Sequence, residues 1–109
     1  MLEVIDISFN GRELDWYPED AYDFNEWVTV NIGEDGAGNY YQFCVCTNIS
    51  ISKLESKKNI FVVEKWHNIN NLVSEINSFI KVKLENNVKD DPYEHLSKYW
   101  YWEYQGYNS

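Results

Sequence analysis

The chain has 109 residues, 44% of them hydrophobic and 25% charged, which is typical of one folded domain and excludes a disordered chain. Its apolar runs, such as residues 60–63, are far shorter than the roughly 20 residues that cross a bilayer, and no basic residue occurs in the first ten, so we expect neither a membrane span nor a secretory signal. The net charge of −9 disfavours nucleic acid and anionic lipid as direct partners, because both are polyanions.

Three strands are predicted in the first half of the chain. Residues 2–8 mix apolar and polar side chains and stop at an Asn-Gly pair at 10–11, which is typical of a strand followed by a turn. Residues 27–32 and 40–51 are rich in β-branched and aromatic residues, and they flank the glycine-rich segment 33–38. This pattern predicts a hairpin of two longer strands.

Two helices are predicted in the second half. Apolar residues recur at spacings of three and four over 70–84, which predicts an amphipathic helix capped by Asn70 or Asn71. Asp91 is followed by proline and, three residues after the cap position, by glutamate. This arrangement predicts a short second helix over 92–98.

Two further strands complete the predicted fold. The apolar run 60–66 predicts a fourth strand at the centre of the sheet. The aromatic run 99–107 predicts a last strand that places Trp100, Trp102 and Tyr104 on one face. The sequence therefore predicts an α+β fold in a single domain, with a mostly antiparallel sheet of about five strands and two helices, one long and one short, packed on one face.

The negative charge is concentrated in the first third of the chain. Residues 1–35 contain ten acidic residues and one basic residue, whereas residues 36–109 contain eight of each. Segment 12–24 has neither helical nor strand periodicity and combines five acidic residues with four aromatic ones. A loop of this kind suits recognition of a cationic partner, because Tyr and Trp supply rigid contact area and carboxylates attract positive charge. Alternatively, Trp16, Tyr17 and Phe24 fold back over the sheet and leave only the carboxylates outside.

No catalytic, metal or cofactor site is predicted. Cys44 and Cys46 lie two residues apart in a strand, on one face and at the limit of disulfide geometry, so we expect free thiols in a reducing cytoplasm. His67 and His95 occur in unrelated segments, without a nucleophile at a spacing that marks a catalytic relay. The sequence therefore indicates a binding protein and not an enzyme.

Short motifs in a fixed order run through nearly the whole chain. A Pro-Glu-Asp loop precedes a Phe, and an Ile-Gly turn, a Phe-x-Val-Cys-Thr strand, an apolar strand leading into a helix and a terminal Trp-Glu-aromatic-x-x-Tyr follow. These residues are Pro18, Glu19, Asp20 and Phe24; Ile32 and Gly33; Phe43, Val45, Cys46 and Thr47; residues 60–63; and Trp102, Glu103, Tyr104 and Tyr107. In these features the chain resembles the immunity protein 8 family, small cytoplasmic antidotes encoded beside polymorphic and contact-dependent toxins of bacteria.

The resemblance implies that the chain catalyses no reaction and instead binds and neutralises one cognate toxin, through the C-terminal domain of that toxin. The resemblance also implies a domain of the nuclease type, because many toxins of this kind are nucleases, and the acidic surface of the chain indicates that this domain is basic and is occluded stoichiometrically. The charge alone also permits a different interpretation, an acidic DNA mimic or other interaction module that targets a nucleic-acid-binding protein.

The predicted toxin-binding residues form two groups. The first group lies in the acidic and aromatic loop and comprises Asp15, Trp16, Tyr17, Glu19, Asp20, Tyr22 and Asp23. The second group, Glu34 and Asp35, lies in the glycine-rich turn. The motif residues are mostly apolar or strand-forming, so we expect them to preserve the fold while the loops set toxin specificity.

Overall fold

The computed structural model describes residues 1–10, 16–55, 58–86 and 90–103. Within these residues the chain forms a two-layer α+β fold, in which two of the three helices pack on one face of a five-stranded sheet. In chain order, the elements are β1 (Glu3–Phe9), β2 (Asn25–Glu34), β3 (Ala37–Thr47), α1 (Asn48–Ile51), β4 (Ile60–Val63), α2 (Ile69–Glu85), α3 (Pro92–Leu96) and β5 (Tyr101–Trp102).

The predicted hairpin is confirmed as the antiparallel pair β2 and β3. Its two-residue loop consists of Asp35 and Gly36, with φ values of 51° and 77°. Two central residues with positive φ make a turn whose twist matches that of the flanking strands, which is why Asp-Gly is favoured at this position. Next to the loop, Gly33 pairs with Gly38, and a Cβ on Gly33 would lie 2.0 Å from the Ala37 carbonyl oxygen. The two strands can approach this closely only because both positions are glycine.

The centre of the sheet is β3, so the prediction that the run 60–66 forms a central strand is wrong. β2 pairs with one edge of β3, and β4 and β5 divide the other edge between them. β4 has four residues and runs parallel to β3, while the other pairings in the sheet are antiparallel. Phe61 and Val63 are buried and Val62 between them is 41% exposed, so the apolar run reflects burial on one face and not on two.

The long helix is confirmed, with bounds slightly wider than predicted. Asn68, and not Asn70 or Asn71, caps α2, because the Asn68 backbone is extended and its side chain accepts a hydrogen bond from the Asn71 amide at 2.8 Å. Leu72, Ile76 and Ile80 form the buried stripe of this 17-residue helix. No helix among the described residues is long and apolar enough to span a membrane.

The short helix α3 begins as predicted. The Asp91 carboxylate accepts hydrogen bonds from the Tyr93 and Glu94 amides at 3.1 and 3.2 Å, and proline follows the cap. The prediction of only two helices missed α1, in which four residues continue directly from β3 and are too short to show a periodicity.

The last strand is shorter than predicted. Trp100 precedes β5 and is completely buried in the core, and Trp102 lies on the same side, since both rings contact Tyr41. Tyr104, the third residue predicted on this face, lies outside the described residues.

The two faces of the sheet differ in what covers them. On the inner face, strand residues pack against α2, Leu96 of α3 and Trp100. The buried strand residues of this core include Val28, Val30, Ile32, Tyr41, Phe43, Val45, Phe61 and Val63. The strand residues that alternate with these, including Trp27, point to the other face. We call it the open face, because neither α2 nor α3 covers it.

Candidate functional site

An aromatic cluster holds the described part of the predicted binding loop, residues 16–24, against the end of the core. The Trp16 ring lies 5.1 Å from Phe9, 6.3 Å from Phe24 and 5.8 Å from Trp66. The backbone is fixed as well, because the Trp66 amide donates to the Ala21 carbonyl at 2.8 Å. Trp16 and Phe24 therefore fold back over the core, as the second interpretation of the loop expected.

The two tyrosines of the loop remain outside. Tyr17 is 75% exposed and Tyr22 is 51% exposed. Lys65 lies 5.5 Å from the centre of the Tyr22 ring, which gives this ring one cation–π contact. The loop thus presents tyrosines to solvent while its tryptophan anchors it, and both interpretations hold in part.

Four carboxylates surround a shallow depression of about 600 Å³ between the loop and the start of β2. We call it the acidic depression; its carboxylates are those of Glu19, Asp20, Asp23 and Glu26. Asp23 pairs with Lys53 at 2.5 Å. Among the described residues, neither Glu19 nor Asp20 forms a salt bridge.

Local hydrogen bonds fix the shape of the depression. One Asp20 carboxylate oxygen accepts from the Tyr22 amide at 2.9 Å, and the Asp23 amide donates to the Asp20 carbonyl at 3.2 Å. Asp20 therefore closes a tight Asx-type turn while its charge still faces solvent. A fixed negative surface of this kind can receive the Lys or Arg side chains of a partner without first having to order its own backbone.

The second predicted group does not join the first. Glu34 and Asp35 lie at the far end of β2, about 30 Å from the acidic depression at 3.4 Å per residue. Glu34 also pairs with the N-terminal amine. A standard protein interface covers a patch roughly 30 Å across, which extends about 15 Å from its centre, so a partner centred on the depression would not contact Glu34. Asp15 lies outside the described residues.

The sequence interpretation missed a set of exposed aromatic residues on the open face. Large apolar side chains on this face are strongly exposed: Trp27 by 42%, Tyr40 by 49%, Val62 by 41% and Tyr101 by 50%. A signal for Trp27 was present in the sequence, because alternation with Val28 places its side chain opposite the core. Tyr40, Val62 and Tyr101 join it only through the pairing of β3 with β4 and β5.

The two cysteines lie under this open face and are buried, free thiols. A hydrogen bond with Cys46, together with burial, raises the pKa of the Cys44 thiol. The same hydrogen bond lowers the pKa of the Cys46 thiol, which is completely buried. On the described surfaces, the features suited to recognition are the carboxylates of the acidic depression and the exposed aromatic side chains of the open face.

A protein-family model described as immunity protein 8 matches residues 1–107 of the chain. Comparison with curated proteins and with solved structures finds no match.

Proposed function

The chain belongs to the immunity protein 8 family, and on that premise we propose that it neutralises a basic, nuclease-type toxin domain by stoichiometric occlusion in the cytoplasm. Membership implies an immunity protein that binds a cognate toxin. Immunity proteins generally act by binding and not by catalysis. Our proposal goes beyond family membership in three respects: the charge of the toxin, its reaction and the way it is blocked.

The acidic depression is the feature of the structure that best supports this proposal. Its carboxylates lie on a backbone fixed by the aromatic cluster around Trp16, and exposed Tyr17 lies beside them. A nuclease binds a phosphate backbone through a basic surface, and the same surface would be attracted to fixed carboxylates. Occupation of that surface by the immunity protein would exclude the nucleic acid.

The expected role of the depression is mainly kinetic. Complementary charges raise association rates by 10 to 10³-fold over those of uncharged partners, and the increase falls with salt. Exposed charges are screened beyond about 10 Å at 0.1 M salt and beyond about 3 Å at 1 M. Association should therefore be fast at low salt and should slow steeply as salt is added, while dissociation changes little.

Reversal of the three loop carboxylates tests the proposal. We expect Glu19→Lys, Asp20→Lys and Asp23→Lys together to slow association with the toxin domain encoded beside this gene by at least about tenfold at low salt. Cells that carry the toxin should then lose protection. Stopped-flow mixing with a catalytically inactive toxin measures the rate, and a growth assay measures protection.

A matched control separates local charge from net charge. Glu75, Glu85 and Glu94 are exposed residues of α2 and α3, and their reversal to Lys also changes the net charge from −9 to −3. If both triple variants slow association equally, only overall charge matters and the depression is not the contact surface. If wild-type protein binds no toxin but captures a nucleic-acid-binding protein, the DNA-mimic function replaces the one proposed.

A further inference from the structure

A groove on the open face combines an aromatic wall, a buried cysteine and a charged rim. Trp27 and Tyr101, whose rings stack, form its aromatic wall, and Leu54, Ile60 and buried Cys44 line the rest. The volume of the groove is about 370 Å³. We call it the open-face groove; at its rim it also contains Lys53, Glu55 and Lys58.

The wall is ordered although it is exposed to solvent. The Trp27 and Tyr101 rings stack at 6.3 Å with an interplanar angle of 27°. Their positions follow from the sheet, because Trp27 pairs with Cys44 across β2 and β3 and Tyr101 pairs with Gln42 across β3 and β5. Rings held in this way lose little conformational entropy when a partner covers them, which is characteristic of binding hot spots.

The open-face groove and the acidic depression are adjacent. Lys53 lines the groove, and its ammonium group pairs with Asp23 of the depression at 2.5 Å. The salt bridge neutralises Lys53, so the side of the groove nearest the loop adds no net positive charge to oppose a basic partner. The two surfaces together resemble the usual interface arrangement, in which an apolar centre is surrounded by a polar rim.

Charge indicates which partner fits this combined surface. A second copy of the chain would bring a further net charge of −9 to a face that borders the carboxylates of Glu19 and Asp20, so self-association is disfavoured. A partner that places basic residues against the acidic depression and an apolar side chain in the open-face groove complements both surfaces. These are the properties of the basic toxin domain under the proposed function, on which this inference rests.

We propose that the open-face groove receives an apolar side chain of the cognate toxin and supplies most of the affinity, while the acidic depression supplies the association rate. Removal of a buried aromatic hot spot costs at least about 30-fold in Kd. We therefore expect Trp27→Ala and Tyr101→Ala each to raise the Kd for the inactive toxin domain by about 30-fold or more. The increase should lie in the dissociation rate, with the association rate changed less than about twofold.

Val82→Ala provides the control, because Val82 is 56% exposed on α2 in the other layer. It should leave both rates unchanged. Thermal unfolding checks that each variant is folded. A photoreactive benzophenone amino acid at position 101, which keeps an aromatic ring there, should cross-link to the toxin, and the same group at position 82 should not.

Each outcome is decisive for one claim. If wild-type protein binds the toxin and the groove variants dissociate at the wild-type rate, without cross-linking from position 101, the groove is not the contact and the proposed function still stands. If wild-type protein does not bind the toxin, the proposed function itself fails. If the free protein is a dimer that Trp27→Ala converts to a monomer, the groove serves self-association and the inference is overturned.

Discussion

Trp100 offers the sharpest test of how this core is stabilised, because its ring is fully buried while its indole N–H has no hydrogen-bond partner among the described residues. The ring stacks on Phe43 at 4.2 Å and lies 5.1 Å from Phe79 and 6.2 Å from Phe61. Trp100 therefore joins β3, β4 and α2. Two substitutions separate the contribution of the ring from the cost of the N–H group.

Trp100→Ala should lower the free energy of unfolding by about 4 kcal/mol, because truncation of a buried aromatic side chain to alanine costs about 3 to 5 kcal/mol of stability. A chain of 109 residues has a total stability of roughly 5 to 15 kcal/mol. Its entropy of unfolding near Tm is about 0.23 kcal/mol/K, so the expected fall in Tm is roughly 15 to 20 °C. This single ring thus accounts for a large part of the stability.

Trp100→Phe should cost far less. Phenylalanine is smaller by roughly 40 Å³, which corresponds to about 1 kcal/mol of cavity energy. Against this, the substitution removes a buried donor that has no partner in the described part of the chain, and burial of such a group costs about 1 to 3 kcal/mol. We expect the variant to stay within about 1 kcal/mol of wild type.

Denaturant unfolding, followed by far-UV circular dichroism, measures both variants. Tyr101→Ala is the neighbouring control; it removes a half-exposed ring stacked on Trp27 and should cost only about 1 kcal/mol. If Trp100→Phe is as unstable as Trp100→Ala, the N–H group is satisfied in solution and the reasoning is refuted.

Two further predictions concern the hairpin and the buried tyrosine. Gly33→Ala should lower the free energy of unfolding by about 3 kcal/mol or more, because the new Cβ would lie 2.0 Å from the Ala37 carbonyl oxygen. Gly36→Ala should lower it by only about 1 kcal/mol, because Gly36 has a φ of 77° but open space around it. Equal losses in denaturant unfolding would contradict this geometry. Burial raises the pKa of Tyr41, whose hydroxyl donates to the Tyr93 carbonyl at 2.8 Å. The unfolded chain therefore releases this proton first as pH rises above about 10, so stability is full below that pH and falls above it. Tyr41→Phe should be less stable than wild type by about 1 kcal/mol at pH 7, because it lacks this hydrogen bond. Between pH 9 and 11 it should lose less stability than wild type. If the free energies of unfolding of the two proteins change in parallel with pH, Tyr41 is not the group responsible.

Under the proposed function, the acidic depression and the adjacent open-face groove contribute separately to the binding of one partner. On that proposal, the depression acts at a distance and is sensitive to salt, whereas contact in the groove acts only after docking and is insensitive to salt. The salt dependence of the two rate constants can therefore be assigned to different residues.

The sequence by itself determined most of the local structure of this protein, because the relevant signals are local. Asp35-Gly36 between two β-rich runs determines the hairpin, and Asp91-Pro92 determines the start of α3, since turn and cap geometry depend on a few adjacent residues. The apolar spacing that predicts α2 is likewise contained within the helix. The family motifs also lie in the sequence, and they predicted the family that the comparison shows.

Only the tertiary structure decided which residues share a surface. Apolar content predicts burial but not a strand's neighbours, so β4 was predicted at the centre although β3 occupies it. The loop sequence left open whether Trp16 points inward, and its contacts with Phe9 and Trp66 settle this. The open-face groove brings together residues from four segments of the chain. No local pattern predicts this, because it depends on strand pairing between residues far apart in the sequence.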